Sequence, residues 1–229
     1  QRVVKEISED LNRAYPMQRL LQGDVGSGKT IVATLAALQA IENGYQVAIM
    51  APTEILAEQH YKKMLYWLAP LNIQVAWLSG SQGKKERAAS LEAIASGEAK
   101  LAIGTHALFQ TQVTFKKLGL VVVDEQHRFG VEQRVALSSK GYNPHILSMT
   151  ATPIPRTLEM AITGIREMSN ITTPPEERHP VLTYVGLYDE KQIVAAIHRE
   201  LLRDGQVFFI HNRVESIDGV VGRLQTLIP

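Results

Sequence analysis

The sequence predicts an α/β protein in which helices cover both faces of a doubly wound parallel sheet. Three observations carry this prediction. Short apolar runs of strand length alternate with longer segments of helical spacing through the first two thirds of the chain. A glycine-rich turn, Gly23-Asp24-Val25-Gly26-Ser27-Gly28, joins one such run directly to a helical segment. The run Leu118-Gly119-Leu120-Val121-Val122-Val123 is nearly continuous in apolar residues, as a strand buried on both faces must be.

The elements follow in order. Val3, Ile7 and Leu11 share one face of an opening helix. Residues 19–22 read as a buried strand running into the glycine-rich turn. Residues 31–41 have helical spacing, and Asn43-Gly44 stops them, because both residue types tolerate the left-handed backbone that ends helices. Residues 46–51 form a strand, and 54–68 a helix closed near Pro70. Residues 73–78 are a strand, and 84–96 a helix ending at Gly97. Strands at 101–104, 118–123 and 145–149 complete the alternation.

The character changes near Asn170. Thr172-Thr173-Pro174-Pro175-Glu176-Glu177 has the composition of a linker. Strands near 181–185 and 206–211 and helices near 190–202 and 215–227 then open a second α/β region. Two strands bury a sheet poorly by themselves, so the expected division is a first domain at 1–169, a linker at 170–180 and a partial, truncated second domain at 181–229.

Composition narrows the class. The chain has 229 residues, with 24 Lys and Arg against 23 Asp and Glu, so bulk charge argues neither for nor against nucleic acid. With no Cys there is no disulfide framework, thiolate metal site or Cys nucleophile. No apolar run approaches the roughly 20 residues of a membrane span, and no secretory signal opens the chain. The expectation is a cytoplasmic protein without membrane contact.

Three motifs carry chemistry. Gly23-Asp24-Val25-Gly26-Ser27-Gly28-Lys29-Thr30 fits the phosphate-binding pattern G-x-x-x-x-G-K-[ST] between a strand and a helix. Glycines let the backbone curl so that its N–H groups face phosphate oxygens, and the helix N-terminus adds its positive dipole end. Lys29 is expected to reach the β- and γ-phosphates of ATP, and the Thr30 hydroxyl to ligate Mg²⁺. About a hundred residues on, Val121-Val122-Val123-Asp124-Glu125-Gln126-His127 ends an apolar strand in two carboxylates, the Walker B arrangement. Asp124 is the expected Mg²⁺ partner, and Glu125 the group that positions or deprotonates the attacking water. Met149-Thr150-Ala151-Thr152-Pro153 ends the next strand, and the Thr150 and Thr152 hydroxyls can sense the γ-phosphate through Glu125 or His127. Standing alone, that last stretch is better explained as a strand end with a helix cap; beside the first two motifs the sensing role takes precedence.

Together these motifs resemble superfamily two helicases: the phosphate loop, D-E-x-H box and T-A-T-P. The resemblance implies RecA-like domains, with 181–229 as the start of a second one, and adds His127 to the catalytic set. Ala51-Pro52-Thr53-Glu54 and Gly104-Thr105-His106 are similar to that superfamily's nucleic-acid-contacting motifs Ia and Ib, with helix capping by Thr53 and Thr105 as the alternative for each. Gln1, some twenty residues before the loop, stands where the family often has an adenine-reading Gln.

The resemblance narrows further. Up to about Leu158 the chain looks like the RecG branch-migration helicases, on residues 16–30, 51–60 and 124–134. From about Glu159 it looks more like the Mfd transcription-repair coupling translocases, on residues 164–169, 173–178 and 205–217. The families share the stretch 150–157, T-A-T-P-I-P-R-T. The first resemblance implies a monomeric, nucleoid-associated bacterial motor acting on double-stranded or branched DNA. The second adds RNA polymerase as a partner. Both imply an arginine finger and a helical hairpin element on a second motor domain, and neither motif occurs in these 229 residues.

Other readings stay open at this level. A D-E-x-H RNA helicase uses the same motifs, and an ATP-dependent switch without movement uses the same phosphate loop. A GTPase fits poorly, since no guanine-reading N-K-x-D occurs. The basic clusters Lys62-Lys63, Lys84-Lys85-Arg87 and Lys116-Lys117 read first as solvated faces, and Trp67 and Trp77 as core.

Overall fold

The computed structural model describes residues 1–125, 142–152, 167–173 and 181–228, together with Ala136. Two compact units emerge, 1–178 and 179–229.

Among the described residues the first unit holds seven strands: β1 (Gln18–Gly23), β2 (Gln46–Met50), β3 (Val75–Leu78), β4 (Leu101–Gly104), β5 (Leu118–Asp124), β6 (His145–Thr150) and β7 (Glu167–Ile171). They lie in the order β3-β4-β2-β5-β6-β1-β7, and every pairing is parallel. Helix α1 (Arg2–Leu11) precedes β1, and helices α2 (Lys29–Glu42), α3 (Glu54–Leu68) and α4 (Lys84–Ser96) connect β1 to β4.

The strands feed two cores by strict alternation. Val47, Ile49, Leu120 and Val122 pack on one face with Ile7 of α1, Ala33 of α2 and Met64 of α3. Ala48, Met50, Val121 and Val123 pack on the other with Ile94 of α4 and with Phe109 and Phe115. Burial on both faces is why β2 and β5 are apolar without alternation. The tryptophans join the core as expected: Trp67 and Trp77 pack against the first cluster, and Trp77 lies 5.4 Å from the ring of Tyr61.

Because all seven strands run the same way, their C-terminal ends make one edge. The register fixes who meets whom there. Gln22 pairs with Thr150, Met149 with Asp124, and Met50 with both Val123 and Gly104.

Two expectations need correction. Residues 170 and 171, read as the start of the linker, are the end of β7, where Asn170 pairs with Gln22 and Ile171 with Gly23. The five residues of β7 hold only two apolar side chains, too few to signal a strand. What holds β7 is charge. Arg19 of β1, 7 % exposed, meets Asp10 of α1 (Nε to Oδ2, 2.6 Å), Ser169 (2.8 Å) and Glu167 of β7. Arg13 pairs with the same two carboxylates.

In the second unit, helices α5 (Glu190–Leu201) and α6 (Ile217–Leu227) form as expected, and Asp189 caps α5 through the N–H groups of Lys191 and Gln192. The two expected strands do not. Residues 181–185 and 206–211 join no ladder, and Leu182, Val185, Phe208 and Ile210 are exposed. A strand exists through its partners, so apolar sequence alone does not make one. Among the described residues no helix is long and apolar enough to cross a membrane.

The charge network gives a pH prediction. Glu167 is pushed down to about 2, first by its hydrogen bond with Asp10, then by Arg13 and Arg19, with burial opposing. Asp10 is pushed up by its burial, against the pull of Arg19. A carboxyl depressed from its ordinary 4.5 contributes stability that is full above pH 4.5 and is lost as pH falls through about 2. Asp10 contributes with the opposite sign, full below its ordinary 3.8 and lost as pH rises through its raised value. Glu167→Gln should therefore flatten the fall in melting temperature between pH 4.5 and about 2. Equal acid slopes in variant and parent would remove Glu167 from the network's account.

Candidate nucleotide-binding site

The phosphate loop takes its shape from its own backbone. It leaves the end of β1 at Gly23 and closes with a 3.1 Å bond from the Ser27 N–H to the Asp24 carbonyl. Gly26 (φ 79°) and Gly28 (φ 94°) take the left-handed backbone that L side chains rarely adopt. Gly28 is the N-cap of α2, so the helix's unpaired N–H groups begin at Lys29.

Lys29 bends back over this loop. Its Nζ donates to the carbonyls of Gly23 and Asp24, both at 2.8 Å. Burial lowers its pKa, while Asp124 and Glu125 pull it up. The Ser27 hydroxyl oxygen is buried without a hydrogen-bond partner among the described residues. A partnerless buried hydroxyl and an ammonium resting on two neutral carbonyls both fit an incoming phosphate, which makes stronger, charge-assisted bonds with each. Beside the loop opens a cavity of about 830 Å³ bordered by Gln1, Ser27, Gly28, Ile31, Leu35 and Thr172. Gln1 borders the same cavity as Ser27 and Gly28 of the loop.

The carboxylates stand two strands away from β1, across β6. Asp124 closes β5, with Oδ1 accepting from the Glu125 N–H at 3.1 Å and Oδ2 lying 2.7 Å from Nε2 of His60. Glu125 has φ 49°, a strained turn for a residue with a side chain. Between them, β6 ends in Thr150, whose hydroxyl lies 3.0 Å from that of Thr152. The Ala151 N–H, between the two threonines, donates to Glu125 Oε1 at 3.3 Å. His127 lies outside the described residues.

The two candidate nucleic-acid stretches follow β2 and β4 on the same edge. Thr53 caps α3, accepting from the Leu56 N–H at 3.3 Å. Glu54 accepts from the N–H groups of Gly80 (3.0 Å) and Ser81 (3.2 Å) and from the Ser81 hydroxyl (2.8 Å), which holds its pKa down. Its carboxylate thus fixes the loop after β3. Gly104 is required by close approach, since a Cβ there would sit 2.0 Å from the Leu78 carbonyl oxygen. Thr105 is buried and makes no side-chain cap, and His106 is exposed.

One residue of the site escaped the sequence reading. His60 lies on the buried stripe of α3, with Ala57, Met64 and Leu68. A titratable residue on an otherwise apolar stripe signals a buried partner, but its identity is not in the local sequence.

A family model for DEAD/DEAH box helicases matches residues 2–161. The chain belongs to the DEAD/DEAH box helicase family. It is 50 % identical over 226 residues to the transcription-repair-coupling factor of Mycobacterium bovis, covering 99 % of this chain and 18 % of that protein. It is 52 % identical over 222 residues to the ATP-dependent DNA helicase RecG of Escherichia coli K12, covering 94 % and 32 %. A structure of RecG bound to a three-way DNA junction superposes with a TM-score of 0.79 at 39 % identity, covering 99 % of this chain and 31 % of that one. The chain thus spans less than a third of the length of these relatives. The helicase family and the all-parallel RecA-like sheet expected from the motifs are both present.

Proposed function

We propose that this chain is the ATP-binding half of a RecG-like, double-stranded DNA translocase, with residues 181–229 opening its second RecA-like domain. The reading rests on one observation above others: the parallel register sets the end of β1, from which the phosphate loop leaves, beside Thr150, and Asp124 beside Met149, so the loop and the carboxylates share one sheet edge. The exposed apolar residues of 181–185 and 206–211 suit strands of a domain whose further strands lie elsewhere in the protein.

The roles follow from the groups available. The loop N–H groups of Gly23 to Thr30 and the Lys29 ammonium bind the phosphates of ATP, and Gln1 reads the adenine. Thr30 and Asp124 hold Mg²⁺, which supplies charge neutralisation for the phosphoryl oxygens when bound. Glu125 orients and deprotonates the attacking water, with His127 beside it in sequence. The 150–152 turn ties Glu125 to the sheet edge and couples the site to movement. Pro52, Thr53 and His106 face duplex or branched DNA, with the buried Gly104 and Thr105 setting the turn that presents His106, while Glu54 organises the neighbouring loop. The protein works as a monomer in the bacterial cytoplasm, at the nucleoid. A second reading, a transcription-repair coupling translocase that also engages RNA polymerase, is favoured by the coupling-factor match that runs through 99 % of the chain.

The test is ATP turnover by the full-length protein, with linear duplex, branched DNA or no DNA, beside Lys29→Ala. DNA-stimulated turnover that vanishes in the variant is expected, with branched DNA the better activator. Turnover indifferent to both DNA forms would sink the translocase reading, and preference for linear duplex would favour the second one.

A further inference from the structure

The hydrogen bond between His60 and Asp124 joins residues 64 positions apart, and it sits where the metal ligand meets a different element. A carboxylate only accepts, so Nε2 carries the proton and donates to Oδ2. The Glu125 N–H holds Oδ1 in the same way. Asp124 is therefore gripped from two sides: by its own strand through the main chain, and by α3 through His60.

Helix α3 is placed to make that second grip informative. Its cap, Thr53, and its first residue, Glu54, belong to the candidate DNA-contacting stretch. His60 follows Thr53 by two helical turns, about 10 Å along the axis at 1.5 Å per residue. One turn further, the Met64 sulfur lies 3.4 Å from the Thr34 hydroxyl oxygen. Thr34 in turn donates to the carbonyl of Thr30, the other expected Mg²⁺ ligand, at 2.8 Å. The same buried stripe of one rigid helix thus touches Asp124 directly and reaches Thr30 through a single residue. Its exposed N-terminal end borders the candidate DNA surface.

We propose that His60 is a positioning residue of the Mg²⁺·ATP site, holding Asp124 in its metal-binding orientation and relaying DNA engagement at the start of α3 to that carboxylate. The proposal rests on the nucleotide-driven motor reading above. Partners that orient a metal ligand contribute about 10- to 100-fold in metal affinity or activity when removed. Only the hydrogen bond, and not the space the ring fills, does this work.

Three forms of the full-length protein separate these effects: parent, His60→Phe, which keeps a ring without a donor, and His60→Gln, which keeps an N–H at similar reach. Two measurements are made on each. The first is binding of Mn²⁺, as the probe cation, with a non-hydrolysable ATP analogue, read by electron paramagnetic resonance. The second is the ratio of ATP turnover with and without duplex DNA across a Mg²⁺ titration. Expected are a roughly tenfold or greater weakening of Mn²⁺ binding and a lost DNA stimulation in His60→Phe, both largely restored in His60→Gln. Unchanged Mn²⁺ binding in a folded His60→Phe protein overturns the proposal, as does a His60→Gln protein no better than His60→Phe. If the parent shows no DNA stimulation, the motor reading fails, and the Mn²⁺ arm still decides whether His60 positions Asp124.

Discussion

Replacing Glu125 with glutamine is expected to lower ATP turnover by the full-length protein about 10²- to 10⁴-fold while leaving nucleotide binding intact. The geometry makes this substitution unusually clean. The Ala151 N–H donates to Glu125 Oε1, and a glutamine amide oxygen accepts that bond equally well. The strained backbone at φ 49° is unchanged in its demands, since both side chains share the same Cβ. What glutamine cannot do is take a proton from water. Lys29→Ala should fail differently, because it removes the cation that now rests on the Gly23 and Asp24 carbonyls and so weakens binding itself. A fluorescent ATP analogue and a single-turnover assay distinguish the two. If Glu125→Gln turns over ATP at the parent rate, the base is another group and the assignment of this carboxylate falls.

The second large effect concerns stability. Arg19→Met should destabilise the first unit by about 3–5 kcal/mol, the range for breaking a buried ion pair from one side. Asp10 is 1 % exposed, and its Oδ2 accepts from Arg19 Nε at 2.6 Å. Without that guanidinium the cation left beside this buried carboxyl is Arg13, which is itself partly exposed. At about 2–4 °C per kcal/mol for a unit of this size, melting should fall by roughly 10 °C. Removing the stranded charge as well, in Arg19→Met with Asp10→Leu, should recover much of the loss, because apolar replacements of whole buried pairs are often neutral. Urea or thermal melts of the three proteins read this directly. A single variant within about 0.5 kcal/mol of the parent would mean the network orders β7 without stabilising it.

Some of this protein is written locally. The phosphate loop is legible because glycine's backbone freedom and the placement of Lys29 and Thr30 act over eight consecutive residues. Asp124 and Glu125 are legible because an apolar strand that ends in two carboxylates must expose them at its tip. The two-faced sheet is legible because β2 and β5 are apolar at successive positions. In each case the residues that decide the structure lie within one element of one another.

Other features depend on partners far along the chain, and no local pattern names those partners. Glu167 belongs to a strand because Arg19, 148 positions earlier, is buried beside it. Gly104 is glycine because the Leu78 carbonyl of the neighbouring strand passes too close for a Cβ, and Glu54 serves the loop after β3. The segments 181–185 and 206–211 carry strand-like sequence and form no ladder, because hydrogen-bonded neighbours and not propensity make a sheet. His60 shows the division most sharply. The sequence by itself determined that α3 has an inward stripe and that a histidine lies on it; only the tertiary structure decided that Asp124 is what it meets, because parallel pairing brings the end of β5 beneath a helix 64 residues away.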